Sequence, residues 1–361
     1  MRDVDRQTRS KLMSLFKASG FHPRGDLGQN FLIDLNLIEY VVEHARLGPR
    51  DVVLEIGTGT GGMTAALSDA AGAVISVEID PRVHGLACSH LADRKNVTLL
   101  NTDALRNKHN LHPDVIAAVT RELNVAPDRR LKLVANLPYC IATPVISNLV
   151  ASTLPWRNMV VTIQWELAVR MRARPGGGDY SALSVWLQSQ AYVRILKRLR
   201  PQVFWPRPQV DSAIVRLTPS RELQSRIVDR PFFQDFVRRL FTQRRKLLRG
   251  VIAGMYRRDF TKPELDAALA PFEFKESTRA ETLSVATLVD LGNAVRRLVH
   301  GETPPDEPSA LDLWGGPRWI DPDEPTDEIP PPDDRSDLVP EADSPTWTSQ
   351  VSANDDSANT D

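Results

Sequence analysis

Asn136-Leu137-Pro138-Tyr139 brings together the residue types in this 361-residue chain that could most directly do chemistry. The asparagine amide offers a carbonyl acceptor and an N–H donor. The proline fixes the backbone and lacks an N–H, yet its carbonyl still accepts. The tyrosine presents a flat face on which a base can stack. Together they suit the task of gripping an exocyclic amino group and the ring that bears it. They follow an apolar run, Leu131 to Ala135, that reads as a buried strand. The four residues therefore fall at a strand's carboxyl end, where open α/β sheets place their sites. The same residues also fit a plain strand-to-helix turn with a core tyrosine, so the rest of the chain has to decide.

A second constellation lies upstream. Gly57, Gly59 and Gly62 satisfy G-x-G-x-x-G directly after the apolar run Val52 to Ile56. Glycines let the backbone turn tightly and let a ligand approach where a Cβ would clash. Glu78 stands at the end of the next apolar run, where an acid hydrogen-bonds ribose hydroxyls. NAD and S-adenosylmethionine both carry an adenosine and both fit this much. Three features favour S-adenosylmethionine. Glu55 extends the loop to E-x-G-x-G-x-G, and Asp103 follows the third strand, where a carboxylate can accept from an adenine amino group. The Asn136–Tyr139 stretch follows the fourth, and hydride transfer has no use for it.

The elements that must position these residues alternate. Strands are expected over 52–56, 73–77, 97–100, 131–135 and 159–163, with helices over 36–46, 59–70, 81–92 and 143–152 and an extra helix over 114–123. Such alternation predicts an α/β fold, a Rossmann-like, doubly wound parallel sheet. Two further β-like runs, 191–196 and 212–217, are expected to extend it, in part antiparallel. Beyond about residue 222 the periodicity turns helical, over 232–248, 262–269 and 284–298. The expected domains are an N-terminal segment over 1–23 with helical spacing, a Rossmann-like domain over 24–221, a small all-α domain over 222–300 and a tail over 301–361.

That tail has 17 acidic residues against Arg318 and Arg335, a formal charge of −15, and 11 of the 27 prolines. Its composition predicts disorder. The remaining 300 residues carry +14, which suggests a polyanionic partner, most simply nucleic acid. The tail can compete with phosphate for that body. Cys88 and Cys140 fit no metal or disulfide pattern, and no metal is expected. No signal peptide or long apolar run stands out, so a cytoplasmic, membrane-free protein is expected.

In this order the motifs resemble those of the ribosomal RNA adenine N6-dimethyltransferases of the small subunit, the KsgA type. Gly28-Gln29-Asn30-Phe31-Leu32 resembles that family's G-Q-N-F-L. Gln164-Trp165-Glu166 resembles Q-K-E, and Asp179 to Val185 resembles D-Y-G-x-L-S-V. Phe204 to Ala213 resembles F-x-P-x-P-x-V-D-S-A, Phe241 to Lys246 resembles F-x-Q-R-R-K, and Arg279 to Ser284 resembles R-A-E-x-L-S. The resemblance covers about residues 24–298 and excludes the tail. It departs at Asp26-Leu27, Thr58, Cys140, Ala142 and Trp165, none of which has an assigned catalytic role.

The resemblance implies a monomeric enzyme that uses S-adenosylmethionine to dimethylate two adjacent adenines near the 3′ end of 16S rRNA. Its partner would be small-subunit rRNA or a pre-30S particle. Asn30, Leu32, Gly57, Gly59, Glu78, Asp103 and Asn136 would bind the cofactor. Asn136, Leu137, Pro138 and Tyr139 would form the catalytic segment. Arg244, Arg245, Lys246 and Arg249 would meet RNA. The alternatives are an Erm-type 23S rRNA adenine methylase and a non-catalytic assembly or transcription factor on the same fold.

Overall fold

The computed structural model describes residues 28–302 together with Met13, Ser14, Phe16, Phe21, Pro23 and Arg24. Most of the expected N-terminal helix, the Asp26-Leu27 departure and nearly all of the acidic tail lie outside the described residues. The described chain opens with β1 (Phe31–Leu32) and α1 (Leu35–Ala45), followed by β2 (Asp51–Ile56), α2 (Gly62–Ala70), β3 (Ala73–Glu78), α3 (Pro81–His90) and β4 (Val97–Asn101). A small hairpin, β5 (Leu105–Asn107) and β6 (Asn110–Leu111), precedes α4 (Pro113–Leu123), β7 (Arg130–Asn136), α5 (Ala142–Ala151) and β8 (Trp156–Gln164). Next come α6 (Trp165–Arg172), α7 (Ala182–Gln188), β9 (Ala191–Leu199), β10 (Phe204–Trp205) and β11 (Ser212–Pro219). The helices α8 (Arg221–Ser225), α9 (Arg230–Phe241), α10 (Leu248–Met255), α11 (Lys262–Leu269) and α12 (Val285–His300) complete it.

Seven strands form one sheet in the order β4-β3-β2-β7-β8-β11-β9. The first five run parallel, and β11 lies antiparallel between β8 and β9. This is the expected mixed α/β sheet, extended antiparallel by the two later strands. Its strands read as unbroken apolar runs because both faces are covered. Along β2, Val52, Leu54 and Ile56 enter one core while Val53 enters the other. On β7, Leu131, Leu133 and Ala135 side with the first core and Val134 with the second. Lys132 breaks the run and is buried. Its ammonium donates to the carbonyls of Ala45 (3.0 Å) and Arg46 (2.6 Å) and pairs with Asp51 at 3.0 Å.

The sequence reading of one helix over 232–248 is corrected. Helix α9 stops at Phe241, Thr242–Leu247 turns, and α10 begins at Leu248. Side-chain bonds account for the break. The Arg244 guanidinium donates to the Tyr180 carbonyl and, at 2.8 Å, to the Gly178 carbonyl, which draws the chain away from the helix path. Tyr180 is itself fully buried, and its hydroxyl donates to the Leu283 carbonyl at 3.0 Å. Residues 178–181 therefore anchor the helical segment on the sheet layer. Phe233, Phe236 and Leu240 of α9 and Leu288, Leu291 and Val295 of α12 share one core with the sheet.

Helices α9 and α12 meet where a glycine is needed. A Cβ on Gly292 would stand 2.7 Å from the Phe233 ring, whereas one on Gly254 would meet nothing within 4 Å. Gly292→Ala is expected to lose about 1–3 kcal/mol in urea unfolding. Gly254→Ala, inside α10, is expected to gain about 0.5–1 kcal/mol. Equal midpoints for the two variants would contradict this packing.

Candidate functional site

Strand β2 has β3 on one side and β7 on the other, so the strand order reverses at β2. Open α/β sheets form their ligand crevice outside the carboxyl ends at such a point. Gly57 leaves β2 here and Asn136 ends β7. Gly57 has φ +91°, and a Cβ on it would lie 3.3 Å from Pro138 Cδ and 3.4 Å from the Asn136 carbonyl oxygen. Only glycine lets the two strand ends come this close. Gly59, at φ +56°, lies under the Phe31 ring, which a Cβ would meet at 3.1 Å. Between these segments is a cavity of about 200 Å³, walled by Asn30, Phe31, Glu78, Asp103, Asn136 and Pro138 among others.

Glu78 is 6% exposed and holds the loop in place. Its Oε2 accepts from the Gly59 N–H and its Oε1 from the Asp80 N–H, both at 3.0 Å. Burial pushes its carboxyl above the ordinary value, and the two N–H donors offset part of that rise. Asp103 is exposed at the rim, where its Oδ1 accepts the Leu105 N–H at 2.9 Å. Leu32, Gly57 and Gly59 also line the cavity.

The Asn136 amide is fixed by its neighbour. One side-chain atom lies 2.8 Å from the Asn30 carbonyl. A carbonyl only accepts, so that atom is the nitrogen, and the amide oxygen remains for another donor. Leu137 is buried, and its N–H donates to the Thr162 carbonyl at 3.1 Å. The Pro138 carbonyl accepts the Ile141 N–H at 3.1 Å. Tyr139 stands outside the cavity wall, half-buried, with its hydroxyl 2.5 Å from Ser212 Oγ. Burial raises its phenol, and the Ser212 hydrogen bond works against that rise.

The structure separates the four basic residues expected to meet RNA. Arg244 is committed to the carbonyls of Gly178 and Tyr180 and to Glu281. Arg249 forms a two-pronged pair with Asp266 at 2.5 and 2.6 Å. Arg245 and Lys246 are exposed, and neither has an ion-pair partner among the described residues.

A network beneath the loop was not read from the sequence. Glu55 is 1% exposed, and its Oε2 accepts from Thr64 Oγ1 and Ser76 Oγ, both at 2.6 Å. Thr58 Oγ1 lies 2.6 Å from Ser76 Oγ. Burial pushes the Glu55 carboxyl up to about 8, so it is neutral at pH 7. The available signal was an acid inside an otherwise apolar strand, with hydroxyl residues after it.

Residues 20–291 match the family described as ribosomal RNA adenine dimethylase. The chain belongs to that family. Its relatives include ribosomal RNA small subunit methyltransferase A of Moorella thermoacetica, 35% identical over 291 residues, covering 80% of this chain and 98% of the relative. The protein of the same name from Bacillus cytotoxicus is 35% identical over 297 residues, 82% of this chain and 98% of the relative. Among solved structures, a dimethyladenosine transferase from Plasmodium falciparum superposes with TM-score 0.60 at 24% identity, covering 72% of this chain and 94% of that one. The 23S rRNA methyltransferase ErmE gives 0.52 at 23% identity, covering 74% and 99%. These two likenesses establish the fold.

As a ribosomal RNA adenine dimethylase, the protein is an S-adenosylmethionine-dependent methyltransferase. The cavity suits that cofactor. A buried carboxylate whose oxygens keep lone pairs can accept from a ribose diol, and a rim carboxylate can accept from an adenine amino group. The glycine turns leave room where a Cβ would stand.

Glu55 makes stability depend on pH. Its folded pKa lies above its unfolded value of 4.5, so its contribution is fully present below about pH 4.5 and is lost as pH rises towards 8. The slope is at most about 1.4 kcal/mol per pH unit. Urea unfolding of wild type and Glu55→Gln at pH 5, 6.5 and 8 is expected to show the wild type losing stability relative to the variant as pH rises. Parallel profiles would rule out a neutral Glu55.

Proposed function

We propose that this enzyme transfers methyl groups from S-adenosylmethionine to N6 of two adjacent adenines near the 3′ end of small-subunit (16S) rRNA during ribosome biogenesis. The observation that carries the reading is the Asn136 amide, whose N–H is engaged by Asn30 in a residue that lines the cavity together with Pro138. Glu78 would hold the ribose, Asp103 the adenine, and Asn30, Leu32, Gly57 and Gly59 the rest of the cofactor. The cofactor supplies a methyl group on sulfonium, already strongly activated.

The protein's own task is therefore positioning, which can contribute roughly 7–11 kcal/mol of the barrier. Adenine N6 is a weak nucleophile because its lone pair is delocalised into the ring. The Asn136 amide oxygen and the Leu137 carbonyl would accept its two protons and draw the nitrogen towards sp3 geometry. The Pro138 carbonyl already accepts from Ile141, which makes Leu137 the better second acceptor. No strong base is needed, since the N6 proton becomes acidic once the nitrogen is alkylated. Tyr139, oriented by Ser212, would stack on the base after it leaves its own stack.

The reading extends to the whole chain. Residues 24–221 would carry the chemistry and 222–300 would bind RNA, through Arg245 and Lys246 more than through Arg244 and Arg249. The enzyme would work as a monomer on pre-30S particles in the cytoplasm. Among the described residues no helix is long and apolar enough to cross a membrane.

Mass spectrometry of rRNA from a deletion strain tests the substrate. Loss of dimethyladenosine from small-subunit rRNA is expected, and loss from 23S rRNA would favour the large-subunit alternative instead. Asn136→Ala is expected to lower the single-turnover rate about 10²- to 10³-fold with S-adenosylmethionine affinity nearly kept. A near-normal rate would remove Asn136 from the reaction. For Tyr139, stacking is worth roughly 1–3 kcal/mol. Tyr139→Phe is expected to keep most activity and Tyr139→Ala to lose roughly 10- to 100-fold in kcat/KM. Equal losses in both would shift the role to the hydroxyl.

A further inference from the structure

Beside the Tyr139 anchor, the sheet edge carries a cluster that the reaction as derived does not use. Ser212, which holds the Tyr139 hydroxyl, pairs across the sheet with Gln164 on one side and Leu199 on the other. Its chain neighbour is Asp211. One oxygen of that carboxylate, Oδ2, accepts from Arg198 Nε at 2.7 Å and lies 3.5 Å from Arg200 Nη1. The Asp211 carbonyl accepts the Trp165 N–H at 2.9 Å. The Arg198 guanidinium lies over the Trp165 ring, 4.5 Å from its centroid.

We propose that Arg198 and Arg200, held on Asp211 and Trp165, form a phosphate shelf for the RNA strand that flanks the base at Tyr139. The charge balance of the cluster supports this. Two guanidinium groups share one carboxylate, so one positive charge is not neutralised within the cluster. The carboxylate lies beneath at 15% exposure, while Arg198 and Arg200 face outward at 38% and 66%. The indole beneath Arg198 holds the planar fork flat, which lowers the entropy lost when it meets a phosphate. Leu199, between the two arginines, is the cross-strand partner of Ser212. The backbone of the shelf lies one strand spacing, about 5 Å, from the residue that anchors Tyr139, while Arg198 and Arg200 project with Asp211 from the sheet face opposite to that of Leu199 and Ser212. An RNA strand that crosses the rim of the sheet beyond Tyr139 would meet these guanidinium groups. Trp165 also gains a role where the resembled segment has lysine, since the cation here comes from Arg198 stacked on it.

The proposal rests on the RNA reading given above, and its test separates the two. RNA affinity is measured by filter binding across salt for wild type, Arg200→Ala, Arg200→Lys and the Arg198→Ala/Arg200→Ala double variant. A fragment of small-subunit rRNA is the probe, and methyl transfer and S-adenosylmethionine calorimetry run alongside. Each guanidinium–phosphate bond removed is expected to reduce the slope of log K against log[salt] by about 1 and to cost about fivefold in affinity at about 0.15 M salt. Arg200→Lys should keep the slope, because a lysine still neutralises a phosphate. Cofactor affinity and the thermal midpoint of Arg200→Ala should not move, since that side chain is the more exposed and the less tightly held. Wild-type slope and affinity in both Arg200→Ala and the double variant would overturn the shelf. Failure of the wild type to methylate any rRNA would instead overturn the assigned reaction, and the salt slopes would still decide whether these arginines meet phosphate.

Discussion

The site depends on one buried carboxylate that ties together segments far apart in sequence. Glu78 accepts from the Gly59 N–H of the loop after β2 and from the Asp80 N–H before α3. Asp80 then caps α3 through the N–H groups of Arg82 and Val83 and accepts from the Gln29 amide at 3.2 Å. The segment that carries Asn30 and Phe31 is thereby fixed against the glycine loop. Asn30 in turn fixes the Asn136 amide. A carboxylate this buried is costly unless it is hydrogen-bonded, and backbone donors from two segments supply that need. Moving the loop would leave the acid unsatisfied, so the cavity is held open by the same bonds that make the acid tolerable.

Glu55 shows the other way to bury an acid. Its partners are neutral hydroxyls, and its pKa rises to about 8. At neutral pH the site therefore contains two acids in different environments, Glu78 bonded to backbone N–H groups and Glu55 neutral beneath the loop. Keeping one neutral limits like-charge repulsion below the cofactor loop.

The sheet was legible because strands buried on both faces leave continuous apolar runs, as over 131–135 and 159–163. The Asn136–Tyr139 stretch was legible as a strand-end candidate site because its residue types are unusual there, and Asn136 does end β7 at the cavity. What the sequence hid was non-local. The two-residue pairing of Phe31–Leu32 with Phe204–Trp205 is too short to leave a period. The break after Phe241 was hidden because the apolar spacing continues past it, and its cause, the carbonyls of Gly178 and Tyr180, lies more than 60 residues away. The Glu55 hydroxyl network and the Tyr139–Ser212 bond likewise need the sheet to bring their partners together.

Charge is where sequence and structure differ most in what they can say. A formal +14 over residues 1–300 suggests a polyanion but cannot locate it. In the fold much of that charge is engaged by other protein groups. Arg230 donates to Gln190 and Val150, Arg296 pairs with Asp229, Lys132 with Asp51, and Arg249 with Asp266. Such cations organise the protein, and those paired with a carboxylate add less to the field outside it. Exposure exceeds neutralisation at Arg245-Lys246 in the α9–α10 turn and at Arg198 and Arg200 on the sheet edge, among other exposed basic residues, and it is there that the proposed RNA contacts would release counterions. One lies on the helical segment and the other beside the Tyr139 anchor.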